Sequence, residues 1–395
     1  MKRNSFLWIA ATMVIASCAS NEPAPTDSQN KTTHDQNLIS LEEALQNAEE
    51  EFALVFGSQT RSGREVVSAE RLTSKTRTSE EDFNGFYIIN YDKGFAMLSA
   101  DRRTTPVYAI SDEGSLSLAD TIDNKGLSWY INDFAMNSVH LPDLPVHPDT
   151  TIHKFEPPKP SQKTKTVICE PMLKSFLAQM HQDNPYNKLC PVINSVRPKV
   201  GSVPLAVGTA MAIHKWPTSF GGYSFNWNSM CNNATHDSWA RLFELLGRKE
   251  NLNASYGVNI TIAPASNIVT TLNRMGYKNA AYAKFNKSTI DNELTKKHPV
   301  ICGGTRTDNP IDHEWIIDGG YNISYANNIG EGSSYIYRYY YRCVWGNGSN
   351  GNGYFLFNSN SDRLGGTSYD DNENTTGTTT DYKNLHMVYG FIPNK

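Results

Sequence analysis

Ser202 opens the run Gly201-Ser202-Val203-Pro204-Leu205-Ala206-Val207-Gly208-Thr209-Ala210-Met211-Ala212-Ile213-His214, which closes on Trp216-Pro217. The run is apolar nearly all round and predicts a buried helix. A hydroxyl at the start of such a helix sits where the backbone dipole favours negative charge, a position that suits a nucleophile. Serine is also a preferred N-cap, and a first turn tolerates proline because the missing N–H costs little there. The same residues therefore have a purely structural reading. Far downstream, Asp312-His313-Glu314-Trp315-Ile316-Ile317-Asp318-Gly319-Gly320 reads as a short strand ending in a turn, with His313 near its start. An imidazole there could face a cleft as a general base, or simply pack as a structural histidine. Val344-Trp345-Gly346 then precedes a glycine-rich loop and the strand-like Gly353-Tyr354-Phe355.

The elements that must position these residues fall into two groups. Leu41, Ala44, Leu45, Ala48, Phe52 and Leu54 recur at helical spacing, with Ser40 as N-cap and Glu42-Glu43 in the first turn. Phe86–Tyr91, an Asp92-Lys93-Gly94 turn and Phe95–Ser99 read as a hairpin, and Pro106–Ile110 as a third strand. Residues 38–140 thus predict a small α+β domain. Residues 141–165 hold six prolines, a density that no regular element survives, and read as an exposed linker. Residues 166–395 predict a second domain that opens with helices and closes with aromatic strands over Tyr335–Trp345, Tyr354–Phe357 and Leu385–Phe391. Residues 361–381 read as a polar loop.

A net charge of -4 leaves no basic footprint for nucleic acid. No HExxH, phosphate loop or His/Cys cluster suggests a metal or other cofactor. At the N-terminus, Lys2 and Arg3 precede an apolar stretch, Phe6–Ala16, that is too short to span a bilayer of roughly 30 Å as a helix. Ile15-Ala16-Ser17-Cys18 resembles a bacterial lipobox, which implies cleavage before Cys18, lipidation of its sulfur and a tether over 19–37. Ala19, where an aspartate would hold a lipoprotein at the inner membrane, implies the outer membrane of a Gram-negative cell. The remaining cysteines, 169, 190, 231, 302 and 343, show neither a disulfide framework nor CxxC spacing and read as small buried hydrophobes.

Taken in order, these segments resemble the streptopain-like cysteine peptidases of the papain clan. Gly201-Ser202-Val203 through His214-Lys215-Trp216-Pro217 matches the family's nucleophile helix, with serine in place of cysteine. Asp312–Gly319 matches its histidine strand, and Val344-Trp345-Gly346-Asn347-Gly348 with Gly353-Tyr354-Phe355 its tryptophan loop. Gln182-Asp183-Asn184-Pro185-Tyr186-Asn187-Lys188-Leu189-Cys190-Pro191 matches the segment that supplies the oxyanion glutamine, 20 residues before Ser202. Gln179 is the rival for that role. Gly94–Arg103, followed by Pro106-Val107, resembles the family's propeptide. The resemblance implies a papain-like α+β domain held latent by a prodomain. It also implies Ser202 as nucleophile, His313 as base, Gln182 as oxyanion donor and Trp345 as the shield of the histidine.

Departures from the family pattern cluster around Ser202. A papain-type site stabilises a thiolate whose pKa falls from about 8.5 to roughly 3–4 beside an imidazolium; a serine hydroxyl cannot ionise that way. Loss of the nucleophile from such a unit costs on the order of 10⁶ in turnover. Pro204, Leu205, Glu314, Val344 and Asn347 also depart, Val344 standing where an asparagine would orient the histidine. The expectation is an exported, zymogen-type pseudopeptidase that retains its prodomain and binds a peptide, a protein, or another peptidase or inhibitor. An endopeptidase running on Ser202 and His313, and an adhesin or structural protein on the inherited fold, are the alternatives.

Overall fold

Ser40 begins the first helix as the sequence predicts: its hydroxyl accepts a hydrogen bond from Glu43 N–H at 3.2 Å, and α1 runs Leu41–Phe56. This computed structural model describes residues 38–57, 64–73, 85–102, 104–118, 124–135, 163–232, 236–306, 312–327, 334–357 and 382–395. The leader with Cys18, the tether, the linker as far as residue 162 and the 361–381 loop lie outside the described residues. Among those described, no helix is long and apolar enough to cross a membrane.

The N-terminal half contributes β1 (Val66–Leu72), the predicted hairpin β2 (Phe86–Tyr91) and β3 (Phe95–Ser99), and β4 (Val107–Ser111). Edge strand β1 escapes the sequence reading because its residues, including Glu70 and Arg71, are mostly exposed and show no alternation. A short helical segment follows, α2 (Lys125–Trp129) and a π turn over Tyr130–Ala135, with Asn124 as its cap. The C-terminal half adds β5 (Lys163–Cys169), a short helix α3 (Ser175–Ala178), the buried α4 (Ser202–His214), α5 (Trp227–Cys231), α6 (His236–Gly247), α7 (Asn267–Arg274) and α8 (Lys287–Thr295). Its remaining main strands are β6 (Ala281–Lys284), β7 (Val300–Arg306), β8 (Asp312–Asn327), β9 (Ser334–Val344), β10 (Gly353–Leu356) and β11 (Tyr382–Tyr389).

These eleven strands form one sheet in the order β1-β2-β3-β4-β10-β9-β8-β7-β11-β6, with β5 also on β8, and the described residues add three two-stranded ribbons. The two halves meet at β4 and β10, antiparallel, with Ile110 opposite Tyr354 and Ala109 opposite Phe355. Alternation along β8 divides the core: Trp315 and Ile317 join a cluster with the N-terminal half, whereas Ile316 joins α4 and α6 on the other face.

Three sequence expectations change. Gly319-Gly320 does not end a short strand. β8 continues to Asn327, and the pairing shifts register between Ile317 and Gly319, a bulge that the missing side chain makes possible beside Cys169 O and Pro171. Residues 163–165, read as the end of the linker, belong to β5: Lys163 pairs with Tyr325 and lies 3.3 Å from buried Glu51 on α1. Ser202 is not the N-cap of α4: Gly201 holds that place at φ 95°, with no side-chain cap bond, and Ser202 is the first helical residue. Pro204 does lie in the first turn, and Val203–Ala212 are all buried as the pattern predicts.

Tyr130 closes the junction between the halves. Its buried hydroxyl lies 2.8 Å from Tyr108 O and 3.1 Å from Leu356 O, and accepts from Leu356 N–H at 3.1 Å. Tyr130→Phe strands these backbone groups in a dry site and is expected to lower unfolding stability by about 1–3 kcal/mol in urea titrations. An unchanged midpoint would show that the junction does not depend on this hydroxyl.

Candidate active site

Gly201 and Ser202 sit where a loop turns into the buried helix. Glycine suits position 201 because φ is positive there and Thr261 packs against it, within 3.1–3.3 Å of where a Cβ would be. The Ser202 hydroxyl is half-buried and accepts a hydrogen bond from the backbone N–H of Glu314 at 3.3 Å. Ser202, Glu314, Thr209 and Val344 help line a cavity of about 10 Å³, room for about one water.

The Glu314 side chain, 1% exposed, points into this region and meets His386 Nε2 at 2.7 Å. Gly303, between them on β7, leaves the space: a Cβ there would fall 2.4 Å from the carboxylate. This buried acid–imidazole pair beside Ser202 has no counterpart in the sequence reading, because His386 lies in an ordinary strand pattern without a motif.

His313, the preceding residue on β8, faces the opposite way. A Cβ on Gly126 of α2 would lie 2.7 Å from its imidazole and 2.9 Å from the Trp345 ring, so α2 rests directly on both side chains. His313 is 5% exposed, and its Nε2 has no hydrogen-bond partner. Burial pushes its pKa down to about 4; a hydrogen bond with the Trp345 backbone opposes this, and the nearby Lys125 reinforces it. The imidazole is therefore neutral at pH 7, and no hydrogen bond joins it to Ser202.

Trp345 is 1% exposed and fixed at both ends: Nε1 donates to Gly351 O at 3.0 Å, and its backbone N–H donates to Asn352 Oδ1 at 3.0 Å. Trp315 lies between Trp345 (centroids 5.1 Å apart) and Trp129 of the N-terminal half (6.2 Å, stacked). Asn352, which the sequence reading missed, also donates to Ala178 O at 2.7 Å and Gly348 O at 2.8 Å, tying the tryptophan loop to the segment that carries the glutamines. An asparagine between glycines in a loop was the available signal. Gln182 is half-buried, and its carbonyl accepts from Val200 N–H at 2.9 Å. Gln179 is exposed, close to Gly348. Val344 packs on the α4 face, 4% exposed, and offers His313 no hydrogen bond.

Chemically, the arrangement places a hydroxyl at a helix N-terminus, with an uncharged imidazole on the far side of the strand beneath the N-terminal half. It does not hold the ion pair of a thiol peptidase. The fold and site together define a papain-like peptidase domain covered by an inhibitor-type propeptide. Residues 36–136 match the family model of the Spi protease inhibitor, and residues 180–244 that of the Peptidase C10 family. The two matches support the resemblance to the streptopain family over a propeptide segment and a peptidase segment. A fragment of prointerpain A from Prevotella intermedia, bearing a cysteine-to-alanine mutation, is similar in fold at 20% identity and TM-score 0.55; the match covers 84% of this chain and all of that one. Active interpain A cysteine protease of the same organism aligns at 19% identity and TM-score 0.41, over 59% of this chain and 97% of that one. No curated protein matches the chain.

The depressed pKa of His313 fixes the sign of a pH effect. The unfolded imidazole titrates near 6.5 and the folded one near about 4, so the folded state binds fewer protons in between. This stabilising contribution is full above pH 6.5 and is lost as pH falls toward 4. His214 acts with the same sign: burial first, then His298 and Lys395, bring it to about 4. The urea midpoint should therefore drop between pH 6.5 and 4, and His313→Gln should flatten the drop. A slope untouched by that substitution would contradict a neutral, buried His313.

Proposed function

We propose that this protein is a lipid-anchored, zymogen-type member of its family that keeps its prodomain and works by binding peptide or protein rather than by cysteine-type proteolysis. The observation that carries the reading is the separation of roles at residues 313 and 314. Ser202 meets the backbone of Glu314 on one face of β8, while His313 lies uncharged under Gly126 on the other. A serine needs a base that takes its proton during attack, and the imidazole assigned that task by the family pattern is not at its hydroxyl.

Residue by residue, Ser202 holds the nucleophile position, His313 that of the base, Gln182 that of the oxyanion donor and Trp345 that of the shield. In this reading they are an inherited framework. The prodomain stays because a chain without a working nucleophile cannot cut its own linker. Cys18 carries the lipid and holds the protein at the outer membrane of a Gram-negative cell, facing peptide or protein ligands, another peptidase among them. No cofactor is assigned.

Purified protein assayed on casein tests this directly. The expected result is no turnover in the native chain or in Ser202→Ala, and no self-cleavage in Ser202→Cys, because Glu314, Val344 and the buried His313 disable the site independently of the missing sulfur. Casein hydrolysis abolished by Ser202→Ala would overturn the reading and establish a serine-based peptidase instead.

A further inference from the structure

Residues 391–395 fold back against the end of α4. Tyr277-Lys278 and Ile392-Pro393 pair as a two-stranded ribbon, and Asn394 N–H donates to Gly276 O at 2.8 Å. Trp216, just past α4, donates from Nε1 to Met275 O at 3.0 Å, and its carbonyl accepts from the Tyr277 hydroxyl at 2.9 Å. The centroid of the His214 ring lies 5.4 Å from that of Phe391 and 6.4 Å from that of His298. Four segments distant in sequence thereby meet at one place.

Each of them brings exposed cations. Lys215, Arg274, Lys278, Lys297 and Lys395 are all exposed, and among the described residues no carboxylate side chain pairs with any of them. Glu293 is the one carboxylate side chain in residues 213–217, 273–279, 293–298 and 391–395. It is buried, and His298 at 3.0 Å and Lys296 at 3.3 Å engage it. The sequence holds no Asp or Glu between Asp183 and Asp237, or between Glu250 and Asp291. This face is therefore positive on a chain whose net charge is -4. The field reaches His214, whose pKa is lowered first by burial and then by His298 and Lys395.

An apolar residue stands among the cations. Ile392, 39% exposed, is directly opposite Lys278 in the ribbon, so both side chains point to the same side. Cations around an exposed aliphatic side chain suit a lipid interface. The cations meet headgroup phosphates, and the apolar side chain enters beneath them. A duplex nucleic acid would match the charges and leave Ile392 in water.

We propose that this face docks on an anionic lipid surface, with Lys215, Arg274, Lys278, Lys297 and Lys395 contacting phosphate headgroups around Ile392. The proposal goes beyond the binding role above and rests on that reading only for the membrane placement. A lipid on Cys18 makes the contact intramolecular, so a weak electrostatic attraction suffices.

Co-sedimentation of the full-length chain with vesicles tests this, against variants that keep the N-terminus unchanged so that only the face differs. Vesicles of phosphatidylcholine and phosphatidylglycerol in equal parts should bind the chain at least about tenfold more tightly than phosphatidylcholine alone, with the difference lost in high salt. Each cation near such a surface is worth about fivefold, so Lys215→Gln/Lys278→Gln should weaken binding by about tenfold or more. Ile392→Ser should weaken it as well. Lys93→Gln/Lys249→Gln removes the same charge elsewhere in the fold and should bind as the native chain does. If the first double variant fails to unfold cooperatively, Lys395→Gln supplies the comparison, with a loss of about fivefold. Equal binding to the two vesicle types, or equal loss in the two double variants, would overturn the docking face. Tighter binding to duplex DNA than to the anionic vesicles would overturn lipid as the partner. The anchor is tested apart: an exported chain whose intact mass lacks acyl chains would sink the lipid on Cys18, a result that the vesicle comparison does not mimic because every chain in it carries the same N-terminus.

Discussion

Two residue pairs, Ile110 with Tyr354 and Ala109 with Phe355, carry the sheet of the N-terminal half into that of the C-terminal half. The rest of the site depends on this joint. With β4 in place, Tyr130 reaches the backbone on both sides, α2 is held above β8, and Gly126 meets His313 and Trp345. The next segment of the N-terminal half also grips the tryptophan loop, because Gly351 N–H donates to Ser115 O at 2.8 Å. The N-terminal half is thus held to the C-terminal half by sheet continuity. A propeptide that pairs as a strand cannot drift from the site without breaking backbone hydrogen bonds and exposing a shared apolar core.

The second constraint is the alternation of β8. One residue separates His313 from Glu314, and the pleat sends them to opposite faces. The face toward α4 carries a carboxylate paired with His386, and the other carries an imidazole that burial keeps neutral. A Glu314 side chain beside residue 202 would oppose an anion there, whereas a family site needs to favour one. In the proposed function, the serine is one change among several that act against the same interaction.

Much of this was legible in the sequence because the signals were local. Ser40 with Glu42 and Glu43 marked α1, Asp92-Lys93-Gly94 marked the hairpin, and the all-round apolar run of 203–212 marked a buried helix. The order of motifs identified the family and its prodomain. What escaped depends on contacts distant in sequence. Gly319-Gly320 is a bulge only because Cys169 and Pro171 lie against it, and nothing near Gly126 announces that it presses on a histidine 187 residues away. His386 became visible only when β7 and β11 brought it to Glu314. Gly201 displaced Ser202 from the cap because its positive φ sets the entry into α4, which capping preference alone does not reveal.

The account stands on the absence of an ion pair between residues 202 and 313, and the thiol pKa of Ser202→Cys measures that interaction most directly. Alkylation rates at residue 202, resolved by peptide mass spectrometry across pH, should report a thiol titrating at or above the ordinary value of about 8.5. A thiolate with a pKa of roughly 3–4 would contradict the account, since it would require His313 to be charged and in contact with residue 202.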